Sequence, residues 1–118
     1  MRETWLTKEH REKTLRYLKR PLEVAAEVGR VAEEILGSVE VFVFGSVVEG
    51  DATLASDLDI LVVSPNVPES SSSRSKMMMK VLERIGMDSP VELHMARPEE
   101  LDWYRRFSKR MIRAYPPQ

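Results

Sequence analysis

Two amphipathic patterns open the chain. Thr7 is a suitable N-cap for a helix over residues 8–19. Pro21 fits the first turn of a helix but not its interior, so it either begins a second helix or kinks a single one, and Gly37 ends the segment. The apolar residues that recur at helical spacing in the second segment are Leu22, Ala25, Val28, Ala32, Ile35 and Leu36. We expect both helices to cover one face of a sheet.

Three later segments have the composition of strands. Residues 39–44 and 60–63 are rich in β-branched and aromatic side chains, which buried strands favour. Residues 90–95 alternate between apolar and polar positions, as expected for a strand with one buried face. The polar positions of this third strand are Glu92 and His94, and we expect His94 to be exposed or hydrogen-bonded.

The remaining segments are predicted to be a loop and two helices. Residues 66–75 contain a serine run without apolar periodicity, which predicts a flexible loop before a helix that ends near Gly86. Pro98 and the acidic residues after it indicate the first turn of a last helix over residues 98–114. The predicted fold class is therefore α/β (α+β), with a small mixed sheet of at least three strands and helices mainly on one face.

Length and composition narrow the possibilities further. The 118 residues are predicted to form one domain: an N-terminal helical segment (1–37), a sheet and active-site core (39–95) and a C-terminal helix (98–114). The net charge is −1, so direct nucleic-acid binding is not expected. There is no cysteine, and no apolar run approaches the ~20 residues of a membrane span. We therefore expect a cytoplasmic protein without a membrane association.

The candidate chemistry lies between the first two strands. Asp57 and Asp59 are two residues apart where the second strand opens, so both carboxylates project from the same face. Two carboxylates that close repel each other unless a cation lies between them, and Mg²⁺ prefers such oxygen ligands together with phosphate oxygens. Gly45 and Ser46 follow the first strand, and a turn into a short helix there would direct backbone N–H groups at phosphate. These residues predict a metal–nucleotide site.

Glu92 is the candidate for a third carboxylate. If the third strand lies beside the second, Glu92 shares a face with Asp57 and Asp59. Phosphoryl transfer with two metal ions needs several carboxylates around the cations. Glu92 is thus predicted to be a metal ligand, and it is the best candidate to help deprotonate an acceptor hydroxyl.

The order of these features resembles a known family. A strand, Gly45-Ser46, ten further residues, Asp57-Leu58-Asp59 and a second strand are similar to the pattern of the polymerase-β-like nucleotidyltransferases. The short chain resembles in particular the minimal nucleotidyltransferases that pair with HEPN-domain toxins. The resemblance implies the polymerase-β-like fold and an Mg²⁺-dependent reaction, with one or two ions. Asp57, Asp59 and Glu92 would be the catalytic metal ligands, while Gly45, Ser46 and Ser56 would contact the nucleotide or orient the metal loop.

The resemblance also implies a reaction and a partner. The chain would transfer a nucleoside monophosphate, by expectation AMP from ATP, to a hydroxyl and release pyrophosphate. The acceptor would be a tyrosine of a partner HEPN toxin, so that the chain acts as its antitoxin; whether it forms a homo-oligomer is left open. One position departs from the family pattern, because Glu49 stands where family members often carry arginine. A carboxylate that points inward there would repel a triphosphate.

Two other functions are compatible with the sequence. Glu49 and the longer side chain of Glu92 favour a degenerate nucleotidyltransferase that neutralises its partner by binding alone. The second alternative is a nucleotide- or RNA-binding module without catalysis, which the near-neutral charge disfavours.

Overall fold

The structure is a computed structural model, which describes residues 7–53 and 55–117. The helices are α1 (Lys8–Lys19), α2 (Pro21–Leu36), α3 (Ser46–Glu49), α4 (Ser71–Ile85) and α5 (Leu101–Phe107), the last preceded by a 3₁₀ turn (Pro98–Glu100). The strands are β1 (Glu40–Phe44), β2 (Leu58–Val63), β3 (Val91–Ala96) and β4 (Met111–Tyr115). Part of the predicted N-terminal segment, residues 1–6, lies outside the described residues.

The four strands form one mixed sheet in the order β3-β2-β1-β4. β1 pairs antiparallel with β2 and with β4, whereas β2 and β3 are parallel and are connected through α4. A parallel pair needs such a crossover, since a tight turn cannot return the chain to the same end of the sheet. The predicted mixed sheet is therefore confirmed, with one strand more than the predicted minimum.

The ends of the first two helices follow the sequence signals. The Thr7 side chain accepts a hydrogen bond from the backbone N–H of His10, which caps α1. α1 ends before Arg20, and Pro21 occupies the first turn of α2. Gly37 ends α2 with a φ of 81°, a value that favours glycine. Both predicted helices are confirmed.

The serine run begins a helix instead of belonging to a loop. The prediction of a flexible loop over residues 66–75 is wrong from Ser71 onward, because α4 starts there. Ser70 is in extended conformation, and its hydroxyl accepts a hydrogen bond from the backbone N–H of Ser73. Serine is unfavourable inside a helix because its hydroxyl bonds to nearby backbone groups. The same property makes it well suited to this N-cap position.

The main core lies between one face of the sheet and α1, α2 and α4, which confirms that the helices lie mainly on one face. The strand residues in this core are fully or almost fully buried, and they are Val41, Val43, Leu58, Ile60, Val62, Leu93 and Met95. They alternate along each strand, as side chains of one face must. The helices contribute a stripe of small and branched residues that includes Ala25, Val28 and Ala32.

The opposite face of the sheet has a smaller apolar cluster. Its buried residues are Phe42, Leu61, Val63 and Ala96, and Leu101, Tyr104 and Met111 pack against them. The short helix α5 is thus the cover on this side. Because it spans only seven residues, part of this face stays open toward the carboxyl end of β1.

The prediction of one C-terminal helix over residues 98–114 is wrong beyond Phe107. The segment turns at Ser108 and returns as β4, in which Met111 pairs with Phe44 and Arg113 pairs with Phe42. Tyr115, at the end of β4, packs so closely on α2 that a Cβ at Gly29 would lie 2.3 Å from its ring. Pairing with the free edge of β1 and burial of the Tyr115 ring against Gly29 outweigh the helical preference of the basic segment.

No helix in the described ranges is long and apolar enough to cross a membrane.

Candidate active site

The site begins at Gly45, where β1 ends. Gly45 has a φ of 82°, and a Cβ built on it would lie 2.2 Å from Oδ2 of Asp59. Glycine is therefore required twice at this position, for the left-handed backbone and for the approach of the carboxylate. The Gly45 carbonyl accepts hydrogen bonds from the N–H groups of Val48 and Glu49, which closes the single turn of α3. The predicted short helix from Ser46 is thus present, and Ser46 is its first residue.

Three neighbouring strands place one row of side chains across the open face. Phe44 of β1 is opposite Asp59 of β2, and Asp59 is opposite Glu92 of β3. The parallel register of β2 and β3 therefore brings together the two carboxylates that the sequence predicted to share a face. Asp57 precedes β2 by one residue, and its carboxylate is close enough to add negative charge to the surroundings of Asp59 and Glu92. The structure places all three predicted carboxylates in one cluster.

His94 joins this cluster from the next outward position of β3. Its Nε2 atom lies 3.4 Å from Oδ1 of Asp59 and 3.8 Å from Oε1 of Glu92. The ring packs against Phe44, with centroids 5.1 Å apart, and against Tyr104, with centroids 6.0 Å apart. Ligand atoms of Asp59, Glu92 and His94 all lie within 4.8 Å of one another. The sequence predicted His94 to be exposed or hydrogen-bonded, and it is hydrogen-bonded to Asp59.

The electrostatics of the cluster indicate a need for positive charge. Burial raises the pKa of Asp59 above its usual value, against the opposing hydrogen bond from His94, and the nearby Asp57 adds to the rise. Burial also raises the pKa of Glu92, and the negative charge of Asp59 raises it further. The side chain of Asp59 is only 22% exposed. A divalent cation among these groups would offset the cost of their charges, so the donor set fits a metal ion.

Ser56 lies in the loop that leads to Asp57. Its hydroxyl accepts a hydrogen bond of 2.8 Å from the backbone N–H of Thr53, and its own N–H donates to the Thr53 carbonyl. These two bonds close a turn directly before the acidic pair. The structure therefore places Ser56 as a residue that orders the loop, which is one of the two roles expected of it.

An aromatic cleft, lined by Phe44, Gly45, Glu49, His94, Trp103, Tyr104, Phe107 and Ser108, opens beside the cluster and has a volume of about 380 Å³. Trp103 and Phe107 are 57% and 71% exposed, unusually high fractions for such large apolar side chains. Sequence reasoning gave these residues no part in the site. Their spacing of four on a helix places them on one side of α5, but only the fold brings α5 next to Gly45.

Glu49 also lines the aromatic cleft, so the position that departs from the family pattern is close to the phosphate-binding candidate Gly45.

A second, more polar cavity opens on the other side of the acidic pair. It is lined by His10 and Thr14 of α1 and by Ser56, Asp57, Asp88, Ser89 and nearby residues. The aromatic cleft reaches the cluster at His94, and this second cavity reaches it at Asp57.

Comparisons with known proteins agree with this geometry. The family model of the nucleotidyltransferase domain matches residues 26–111, well over half of the chain. A crystal structure of a protein provisionally described as a nucleotidyltransferase is 30% identical, with a TM-score of 0.61 over 74% of this chain and 92% of that one. Another, from Sulfolobus solfataricus and described in the same way, is 25% identical, with a TM-score of 0.61 over 86% of this chain and 85% of that one.

No curated protein matches the sequence closely enough to count as a relative. The match to the family model covers both strands of the Gly45–Asp59 region, α4 and β3. The chain belongs to the nucleotidyltransferase-domain family.

Proposed function

We propose that this chain is a divalent-metal-dependent nucleotidyltransferase that moves a nucleoside monophosphate, AMP from ATP, to a hydroxyl group. The observation that carries the proposal is the row formed by Asp59 and Glu92, with Asp57 close by and Gly45 pressed against Asp59. This arrangement holds several carboxylates next to a loop whose backbone N–H groups can donate hydrogen bonds to phosphate. Membership in the family adds the reaction class.

Asp57, Asp59 and Glu92 would hold the metal, which we propose to be Mg²⁺. Phosphoryl transfer of this kind can use two such ions. When bound, the metal would neutralise charge that develops on the phosphate oxygens and leaving group. The raised pKa values of Asp59 and Glu92 support this assignment, because both carboxylates are short of positive charge.

The chain itself positions the reactants. Gly45 and the first residues of α3 would bind the triphosphate through backbone N–H groups, with Ser46 adding its hydroxyl. Glu92 is 48% exposed and lies at the open edge of the cluster, where it can accept the proton of an incoming hydroxyl. The Thr53–Ser56 turn holds Asp57 in place. Positioning and electrostatics provide most of the catalysis in reactions of this class.

The proposed acceptor is a tyrosine of a HEPN-domain toxin, so that the chain acts in the cytoplasm as the toxin's antitoxin. The resemblance to the minimal nucleotidyltransferases supports this choice. The exposed rings of Trp103 and Phe107 add support, because aromatic side chains at the edge of a site are common anchors for a protein partner. They would let a partner dock with its hydroxyl directed toward Glu92.

One observation favours a second candidate function. Glu49 faces the same cleft as Gly45, and its negative charge opposes a triphosphate there. A chain weakened in this way could neutralise the same toxin by binding alone, without nucleotidyl transfer.

Release of pyrophosphate tests the proposal. The chain is incubated with ATP, Mg²⁺ and a HEPN-domain protein as the proposed acceptor, and pyrophosphate is measured with time. We expect metal-dependent release that Asp57→Asn or Glu92→Gln abolishes, whereas Glu83→Gln, on the exposed side of α4, leaves it unchanged. Stable binding of the partner without any pyrophosphate would refute the transferase and support the binding antitoxin.

A further inference from the structure

His94 has no role in the reaction proposed above, although it lies within the carboxylate cluster. Its Nε2 atom is 3.4 Å from Asp59 Oδ1 and 3.8 Å from Glu92 Oε1, and its side chain is 28% exposed. An imidazole that accepts or donates one hydrogen bond to an aspartate can be purely structural. Here, however, one nitrogen lies close to two carboxylates, and a single structural hydrogen bond does not explain that position.

The three ligand atoms have the spacing of a metal site. Octahedral coordination at about 2.1 Å places neighbouring ligand atoms roughly 3 Å apart and opposite ones roughly 4 Å apart. The distances from His94 to Asp59 and Glu92 lie within that range, and all three groups have ligand atoms within 4.8 Å of one another. The three side chains are therefore close enough to share one cation after small adjustments.

The fold also limits where the imidazole can point. β3 alternates Val91, Leu93 and Met95 toward the helical core, so His94 must project to the open face together with Glu92. Phe44 and Tyr104 contact the ring from β1 and α5. These contacts restrict rotation of the ring and keep Nε2 directed at the carboxylates.

We propose that His94 is a further metal ligand beside Asp59 and Glu92, so that the site proposed above for Mg²⁺ binds Mn²⁺ and Co²⁺ more tightly than Mg²⁺. Carboxylate and phosphate oxygens suit both Mg²⁺ and Mn²⁺, whereas a nitrogen ligand favours a first-row transition metal over Mg²⁺. The presence of His94 therefore shifts the preference of the site away from Mg²⁺ without removing the oxygen ligands that Mg²⁺ needs. This inference rests on the proposed metal-dependent transfer, because it assigns a further ligand to the same site.

The chain offers a matched control. It contains two histidines, and the other, His10, lies on α1 beside the cavity near Asp57, outside the group formed by Asp59, Glu92 and His94. Pulsed EPR of bound Mn²⁺ detects a directly coordinated nitrogen through its hyperfine coupling. We would record it on the wild-type chain, on His94→Asn and on His10→Asn, with Mn²⁺ as the sole ligand.

We expect a nitrogen coupling in the wild type and in His10→Asn, and its loss in His94→Asn. We also expect Mn²⁺ affinity to fall by about tenfold or more in His94→Asn, while Mg²⁺ affinity, measured by displacement of Mn²⁺, changes less than about twofold. The amide of glutamine reaches the position of Nε2, so His94→Gln, recorded beside His94→Asn, can keep a hydrogen bond to Asp59 and separates coordination from positioning.

Three results would overturn the inference: no Mn²⁺ binding, Mn²⁺ binding without nitrogen coupling, or equal loss of Mn²⁺ and Mg²⁺ affinity in His94→Asn. The last result would make His94 a positioning residue for Asp59. The pyrophosphate assay separates this inference from the proposed function. Mg²⁺-dependent transfer without nitrogen coupling would refute His94 as a ligand and leave the proposed transferase standing. Nitrogen coupling without transfer would keep His94 as a ligand and refute the transferase.

Discussion

Asp59 and Ile60 are neighbours in β2, and they serve opposite purposes. Ile60 points into the core under α2 and α4 and is fully buried, whereas Asp59 points to the open face and faces Glu92, His94 and Gly45. The core face is continuous, apolar and covered by three helices. The site face concentrates charge under the partial cover of α5. The comparison teaches that one strand can carry stability on one side and chemistry on the other, and that substitutions should separate the two.

The largest effect is expected for Asp59→Asn. This change removes a metal-binding charge, so transfer should fall by about a thousandfold or more, equivalent to about 4 kcal/mol. The free energy of unfolding should not fall, because the pKa of Asp59 is raised by burial and its charge costs stability at neutral pH. Kinetics and thermal unfolding of the same preparation test this. A large loss of stability would contradict the separation of the two faces.

Ile60→Ala should show the opposite behaviour. Truncation of this fully buried side chain should lower the free energy of unfolding by about 2–5 kcal/mol. At a temperature well below the unfolding midpoint, the turnover of the folded fraction should be within about twofold of the wild type. Urea denaturation gives the stability, and Ile60→Val, with an expected cost of about 0.5–1.5 kcal/mol, serves as the graded control.

Gly45→Ala tests the contact between the loop and Asp59. The new Cβ would meet the Asp59 carboxylate and would force a side chain into a φ of 82°. We expect transfer to fall by about a hundredfold and stability to fall by about 1–3 kcal/mol, from the strained backbone. Gly50→Ala is a fair control, because its φ is also positive but no atom of the described residues beyond its chain neighbours lies within 4 Å of the added Cβ. Equal loss of activity in both variants would argue against a specific role for the Gly45–Asp59 contact.

The smallest effect is expected at Glu49. Glu49→Gln removes a negative charge from the cleft that Gly45 also lines, so the dissociation constant for ATP should fall by roughly fivefold, or about 1 kcal/mol. Asp51→Asn, at an exposed loop position nearby, controls for the change in net charge. Titration of each variant with ATP at two salt concentrations measures the effect. Unchanged affinity would show that Glu49 does not face the triphosphate.

The core face could be predicted from the sequence to a large extent. Periodicity, caps and the prolines placed α1, α2, β1, β2 and β3 correctly, because local preference and burial agree in those segments. β4 could not be predicted in this way. Its residues follow a basic helical segment, and the strand forms because β1 offers a free edge and Gly29 leaves room for Tyr115. Both are contacts between residues far apart in the chain.

The site face could be predicted only in part. The spacing of Asp57 and Asp59 and the alternation around Glu92 indicated a shared face, and the structure brings these residues together. The position of His94 next to Asp59 depends on the parallel register of β2 and β3, which the sequence does not specify. The aromatic cleft likewise depends on the packing of α5 beside β1. Features that depend on one strand could be predicted, whereas features that need three elements to meet could not.

The most direct test of the central claim is a comparison of ATP labelled at the α-phosphate with ATP labelled at the γ-phosphate. Both are incubated with the chain, a divalent metal and the proposed HEPN-domain partner, beside the Asp59→Asn variant. We predict that the α label becomes covalently attached to the partner, that the γ label leaves in pyrophosphate, and that the variant does neither. Attachment of the γ label, or attachment of neither while ATP and partner both bind, would contradict nucleotidyl transfer at this site.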